Sequence, residues 1–143
     1  MKVLVINGPN LARLDIRDSA IYGDMSYPQL VAHIESAAKT QGFTADVRQS
    51  DDEATIISWL HEAADESVPV IINPAAFTHY SYAIRDAAEL VKAPLIEVHL
   101  SNPLAREEFR HTSVISGVAN GTIGGFGPNS YVLALIALKA LTS

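Results

Sequence analysis

The stretch VPVIINPAAFTHYSYAIRDAAELVKAPLIEVHL, residues 68–100, reads as strand, helix, strand. Its ends, VPVIINP (68–74) and APLIEVHL (93–100), are nearly continuous runs of β-branched and aliphatic residues, the mark of strands covered on both faces. Residues 80–92 between them carry a helical pattern. Strands joined through a helix lie parallel, because the chain must cross back over the sheet before it pairs again.

The same unit repeats on either side. KVLVIN (2–7), FTADVRQ (43–49) and, less clearly, GTIGGF (121–126) read as further strands. Residues 27–41 hold Leu30, Val31, Ile34 and Ala38 at helical spacing, with Ser26 as N-cap and Gly42 as the stop. Residues 52–66 hold Ile56, Ile57, Leu60 and Ala64 behind a cap at Ser50 or Asp51, and 129–141 form a strongly apolar last helix. Strand alternating with helix five times predicts an α/β fold of flavodoxin-like size: a doubly wound, five-stranded parallel sheet in three layers. No linker, repeat or shift of composition divides residues 1–143, so a single catalytic domain is expected.

Composition narrows the function. A formal net charge of -6 argues against general nucleic-acid binding, which needs a basic surface. With no cysteine, the chain has no disulfide, thiolate metal site or thiol nucleophile. The opening MKVLVING turns polar after five residues and reads as a strand, not a signal segment, so a cytoplasmic location is expected. No apolar run approaches the ~20 residues that span a bilayer.

Ligands of such sheets bind outside the carboxyl ends of the strands. The first strand ends in Asn7-Gly8-Pro9-Asn10, the third in Asn73-Pro74 followed by His79, and the fourth in Glu97-Val98-His99-Leu100-Ser101, with Arg106 and Arg110 beyond. An asparagine at one strand end is most often a turn former. Three polar ends together point to a site. Familiar uses of the fold fail here. Asn7 and Asn73 stand where a phospho-receiver needs acids, and no Gly-Lys-Ser/Thr ending follows Gly8. The glycines at 121, 124, 125 and 127 miss the dinucleotide spacing, and Pro9 removes a donor that a flavin phosphate would need. No lysine closes a strand and no histidine pair has metal-ligand spacing, so neither an imine mechanism nor a metal is expected. Histidines, arginines, amides and a tyrosine remain, an inventory suited to acid–base work on an anionic substrate. A non-catalytic module binding a small polyhydroxy acid and a flavodoxin-like electron carrier are the competing readings.

The segments INGPNL (6–11), IYG (21–23), RQS (48–50), INPAAFTH (72–79), IEVHLSNPLAREEFRH (96–111) and GFG (125–127) resemble the type II 3-dehydroquinate dehydratases over nearly the whole chain. The resemblance implies a flavodoxin-like fold and a homododecamer, a tetramer of trimers. It implies the cofactor-free, metal-free loss of water from 3-dehydroquinate. On it, Tyr22 is the base, Arg17 the arginine of a mobile loop and Arg106 a second arginine near the tyrosine. Asn10 holds a water that serves an enolate, His99 is the general acid, and Glu97 orients it. Asn73, His79 and Arg110 bind substrate hydroxyls, and the backbone of Leu100 and Ser101 cradles the carboxylate. Asp86 reaches a neighbouring subunit's site.

Elementary chemistry fits these roles. The proton lies α to a ketone, so base and enolate both need help, and a nearby arginine favours a phenolate. Glu97 and His99, two apart on one strand, share a face and can meet. Without the resemblance, Tyr22 reads equally as a packing residue and Glu97–His99 as a structural pair. The chain departs from the family mainly at 12–19. Ala12-Arg13-Leu14-Asp15 and Ile16-Arg17-Asp18-Ser19 replace Asn-Leu-Leu-Gly and Thr-Arg-Glu-Pro in a charge-dense, uncapped loop. Asp51-Asp52 replaces Asn-His, and Ala75 and Phe77 replace glycine and tyrosine.

Overall fold

The computed structural model describes residues 1–143. Five parallel strands, β1 (Lys2–Asn7), β2 (Thr44–Gln49), β3 (Val70–Asn73), β4 (Leu95–His99) and β5 (Gly121–Gly124), form one sheet in the order β2-β1-β3-β4-β5. The helices are α1 (Ser19–Tyr22), α2 (Tyr27–Thr40), α3 (Glu53–Glu66), α4 (Tyr82–Glu89) and α5 (Asn129–Thr142). This is the flavodoxin-like, doubly wound α/β architecture that the strand–helix alternation predicts.

Alternation along β1 builds the layers. Val3 and Val5 face one side, where they join Leu30 and Ile34 of α2 and Leu135 and Leu138 of α5. Leu4 and Ile6 face the other, against Ile56 and Leu60 of α3 and Ile84 of α4. Both faces of the sheet are thus closed to water, which is why its central strands read as unbroken apolar runs. Each fully buried aliphatic side chain contributes about 1.5–3 kcal/mol, so these two clusters are the main source of stability.

Local signals mostly hold. Ser26 caps α2 in a reciprocal capping box with Gln29, worth about 0.5–2 kcal/mol. The cap of α3, however, is Asp52, whose carboxylate accepts from Thr55, and not Ser50 or Asp51. Ser50 instead braces Asp52 by accepting from its N–H, and Asp51 turns to the strand end of β1. The helix expected over 80–92 is shorter. A 3₁₀ stretch at Ala75–His79 precedes it, and Ser81 caps it.

The segment after β1 also differs from the uncapped loop expected. Leu11–Ile16 form 3₁₀ turns that bury Leu11 and Leu14 in the core, and Asp18 caps α1 by accepting from the Ala20 N–H. Arg13 and Asp15 pair with each other in solvent, an arrangement that adds little stability.

Strand order changes direction between β1 and β3, and their carboxyl ends approach closely there. Gly8 donates to the Asn73 carbonyl at 2.8 Å, and a Cβ on Gly8 would stand 2.6 Å from the Pro74 carbonyl oxygen. We expect Gly8→Ala to cost about 1–3 kcal/mol, the range for overpacking against atoms that cannot retreat. Urea denaturation measures it. An unchanged midpoint would show that these two strand ends part freely.

Candidate active site

The carboxyl ends of β1, β3 and β4 open onto a crevice of about 490 Å³. From the first strand end come Asn10 and, after the helical turns, Arg17 and Tyr22. From the third come Asn73 and His79, and from the fourth His99, Leu100, Ser101, Arg106 and Arg110. Ten of the twelve residues expected at the site therefore line one concavity. Glu97 lies fully buried beneath His99. Asp86 does not line the crevice; it stands exposed on α4, 3.4 Å from the guanidinium of Arg85.

Charge is distributed unevenly. Three guanidiniums line the crevice and no carboxylate does, in a chain of net charge -6. The Arg17 guanidinium lies 3.5 Å from the centre of the Tyr22 ring, with Arg106 at 5.1 Å. Burial pulls the Arg17 pKa below its ordinary value. The Tyr22 phenol opposes that shift, and the neighbouring Arg106 and Arg110 charges add to it. Cations so gathered favour an anionic ligand over water. Arg106 donates to Ser101 Oγ at 3.3 Å, while its buried Nε has no hydrogen-bond partner and lies 4.0 Å from Glu107 Oε1.

The acid–base pair is built from β4. Glu97 and His99 project to the same face, and His99 Nε2 lies 2.5 Å from Glu97 Oε2. The carboxylate also accepts from the hydroxyls of Thr78, Ser113 and Ser116, at 2.5, 2.9 and 2.8 Å. Burial by itself would raise the Glu97 pKa. The hydrogen bonds from His99, Thr78 and Ser116 outweigh it and hold the carboxyl below its usual range. A carboxylate kept ionised in this way fixes the orientation of the imidazole. His79 donates from Nδ1 to the Thr112 carbonyl at 2.8 Å, leaving Nε2 for a ligand.

Sequence reasoning missed the three hydroxyls. They lie 16 and 19 residues from Glu97 in the chain, and no spacing rule connects them. It also missed Asp51, which accepts the backbone N–H of Asn10 at 2.9 Å and so holds that residue's left-handed turn, φ 69°. Ala75 is a second such position, with φ 52° where the family carries glycine. A left-handed residue with a Cβ costs about 1–2 kcal/mol. Glycine's greater freedom in the unfolded chain offsets about 0.4–1 kcal/mol of that. Ala75→Gly should therefore raise the melting temperature by about 2–4 °C. A fall on thermal melting would show that Ala75 is not strained.

Comparisons with known proteins bear on the family and the fold. The family described as "Dehydroquinase class II" matches residues 1–139. A protein from Salinispora tropica named 3-dehydroquinate dehydratase is 51% identical over 140 residues, covering 98% of each chain. Another of that name from Mycobacterium avium is 54% identical over 135 residues, covering 94% of each. The crystal structure of type II dehydroquinase from Propionibacterium acnes superposes with a TM-score of 0.94 at 48% identity, covering 97% of this chain and 96% of that one. With matches of this extent, the chain belongs to the class II dehydroquinase family.

Proposed function

We propose that this chain is a type II 3-dehydroquinate dehydratase, a hydro-lyase that removes water by anti elimination to give 3-dehydroshikimate. The observation that carries this reading is one crevice lined both by Tyr22, under the Arg17 guanidinium, and by His99, backed by ionised Glu97.

The Tyr22 phenolate takes the proton α to the ketone, and the electron pair moves onto the carbonyl oxygen as an enolate. A water held by Asn10 stabilises that oxygen. His99 then delivers its proton to the departing hydroxyl, which leaves as water as the double bond forms. Tyr22 ends protonated and His99 ends one proton short; Tyr22 then releases its proton to solvent and His99 takes one up, which restores both groups. Asn73, His79 and Arg110 bind the substrate hydroxyls, and the backbone at Leu100 and Ser101 holds the carboxylate. Arg17 and Arg106 stand over the Tyr22 ring as the nearest positive charges, and closure of the turns around Arg17 excludes water. No cofactor or metal enters the scheme.

The finer readings follow from the same family. The chain assembles as a homododecamer in which Asp86 reaches a neighbouring subunit's site, and Leu133, Ile136 and Leu141, exposed on α5, offer apolar surface for such contacts. It works in the cytoplasm, in the shikimate pathway or in quinate breakdown, which share this step. Incubation with 3-dehydroquinate should produce the ultraviolet absorbance of the conjugated product. A flat trace from folded protein overturns the proposal.

A further inference from the structure

One buried polar cluster is not used by the scheme above. The hydroxyl of Tyr131, on α5, is fully buried, as is the side chain of Asn7 at the end of β1, and Asn73 is 2% exposed. Tyr131 donates to Asn7 Oδ1 at 2.6 Å and accepts from Asn73 Nδ2 at 2.9 Å. The other end of the Asn73 amide is also occupied, since Oδ1 accepts from the Ala75 N–H at 3.1 Å. Asn73 nevertheless lines the crevice.

These bonds decide which way the amide of Asn73 can sit. If it flipped, its NH₂ would face the Ala75 N–H, donor against donor. Its oxygen would face a hydroxyl whose single hydrogen is already given to Asn7. Burial pushes the Tyr131 phenol well above its usual pKa, so it remains an O–H and keeps that hydrogen. In a cluster this buried each mismatch costs a desolvation penalty, so one orientation is favoured.

We propose that Tyr131 is a positioning residue for the dehydratase, locking the Asn73 amide so that its polarity toward the substrate is constant. The inference rests on the proposed function, and it adds to it a residue from the last helix, 58 positions away from the asparagine it orients. The remaining Nδ2 hydrogen of Asn73 is the donor left for a substrate oxygen. The locked amide is ready before substrate arrives, so no rotamer entropy is lost on binding.

The test is a double-mutant cycle read in kcat and KM for 3-dehydroquinate, with wild type, Tyr131→Phe, Asn73→Ala and the double variant assayed well below their melting temperatures. Tyr131→Phe should lower kcat/KM about tenfold, mainly through KM, as an oriented hydrogen bond is lost. In the Asn73→Ala background it should change kcat/KM less than about twofold, because the group it orients is gone. A structural role alone would lower the melting temperature while leaving kcat/KM unchanged, or lower it equally in both backgrounds. Either result overturns the inference. Asn7→Ala frees the hydroxyl hydrogen and permits the flip; it should show the same dependence on Asn73, and it decides the question if Tyr131→Phe does not fold. An inactive wild type overturns the functional reading and this inference together. An active wild type with additive losses overturns this inference alone.

Discussion

Tyr22→Phe should lower kcat by about 10²–10⁴-fold, the usual contribution of a positioned general base. Only one oxygen is removed. The phenyl ring keeps its place under Arg17 and against the buried core cluster it packs on, so the cation still has a ring face to cover. Because the side chain is half-buried and its oxygen has no bond that holds the fold, circular dichroism and melting temperature should stay near wild type. KM should change little, since the groups assigned to substrate binding, Asn73, His79, Arg110 and the backbone at Leu100 and Ser101, are left in place. A variant that turns over within tenfold of wild type would remove Tyr22 as the base.

His99→Ala should cause a loss of similar size, about 10²–10⁴-fold in kcat, by removing the acid that protonates the departing hydroxyl. Its stability effect is more informative. Alanine leaves Glu97 buried with three hydroxyl donors instead of four partners, and a charge so placed depends on each. Glu97→Gln gives the complementary result. It keeps the shape but removes the charge, and at neutral pH it should cost about 1.5–3 kcal/mol in lost hydrogen bonds to a charged group.

The sign with pH follows from the lowered Glu97 pKa. Its contribution to stability is fully present above the unfolded carboxylate value of about 4.3 and is lost as pH falls through the lower folded value. The stability gap between wild type and Glu97→Gln should therefore narrow below about pH 4 and stay level above it. Thermal melting across pH 2.5 to 7 reads this directly, on the order of a carboxylate's titration range. A gap that widens in acid would mean that Glu97 is buried as the neutral acid.

Much of this site could be read before any coordinates. Asn10, Asn73 and His99 were recognisable because each stands at or just beyond the end of an apolar run, and in a parallel sheet such ends share one edge. Arg17 and Tyr22 were recognisable only through family resemblance. Five residues apart, they meet because the turns before Arg17 are anchored by buried Leu14, and the chain between Arg17 and Tyr22 turns once more where Asp18 caps α1. The charge of that segment looked unexplained for the same reason: Asp18 makes its cap to a backbone N–H, which no side-chain pattern displays.

Asp51 and Asp52 show the limit locally. The sequence offers Ser50 or Asp51 as the cap of α3; the strand end at Asn10 draws Asp51 away, and the cap falls to Asp52, which the helical pattern places inside the helix. Local periodicity and strand-end chemistry are properties of short segments, so they are written in the residue order: the α/β class, the layers, and the edge where the chemistry stands. The three hydroxyls around Glu97 and the Tyr131 bridge between Asn7 and Asn73 depend on parts of the chain 16 to 124 positions apart. Their bonds need placement within a few tenths of an ångström, which comes from packing the helices on both faces of the sheet.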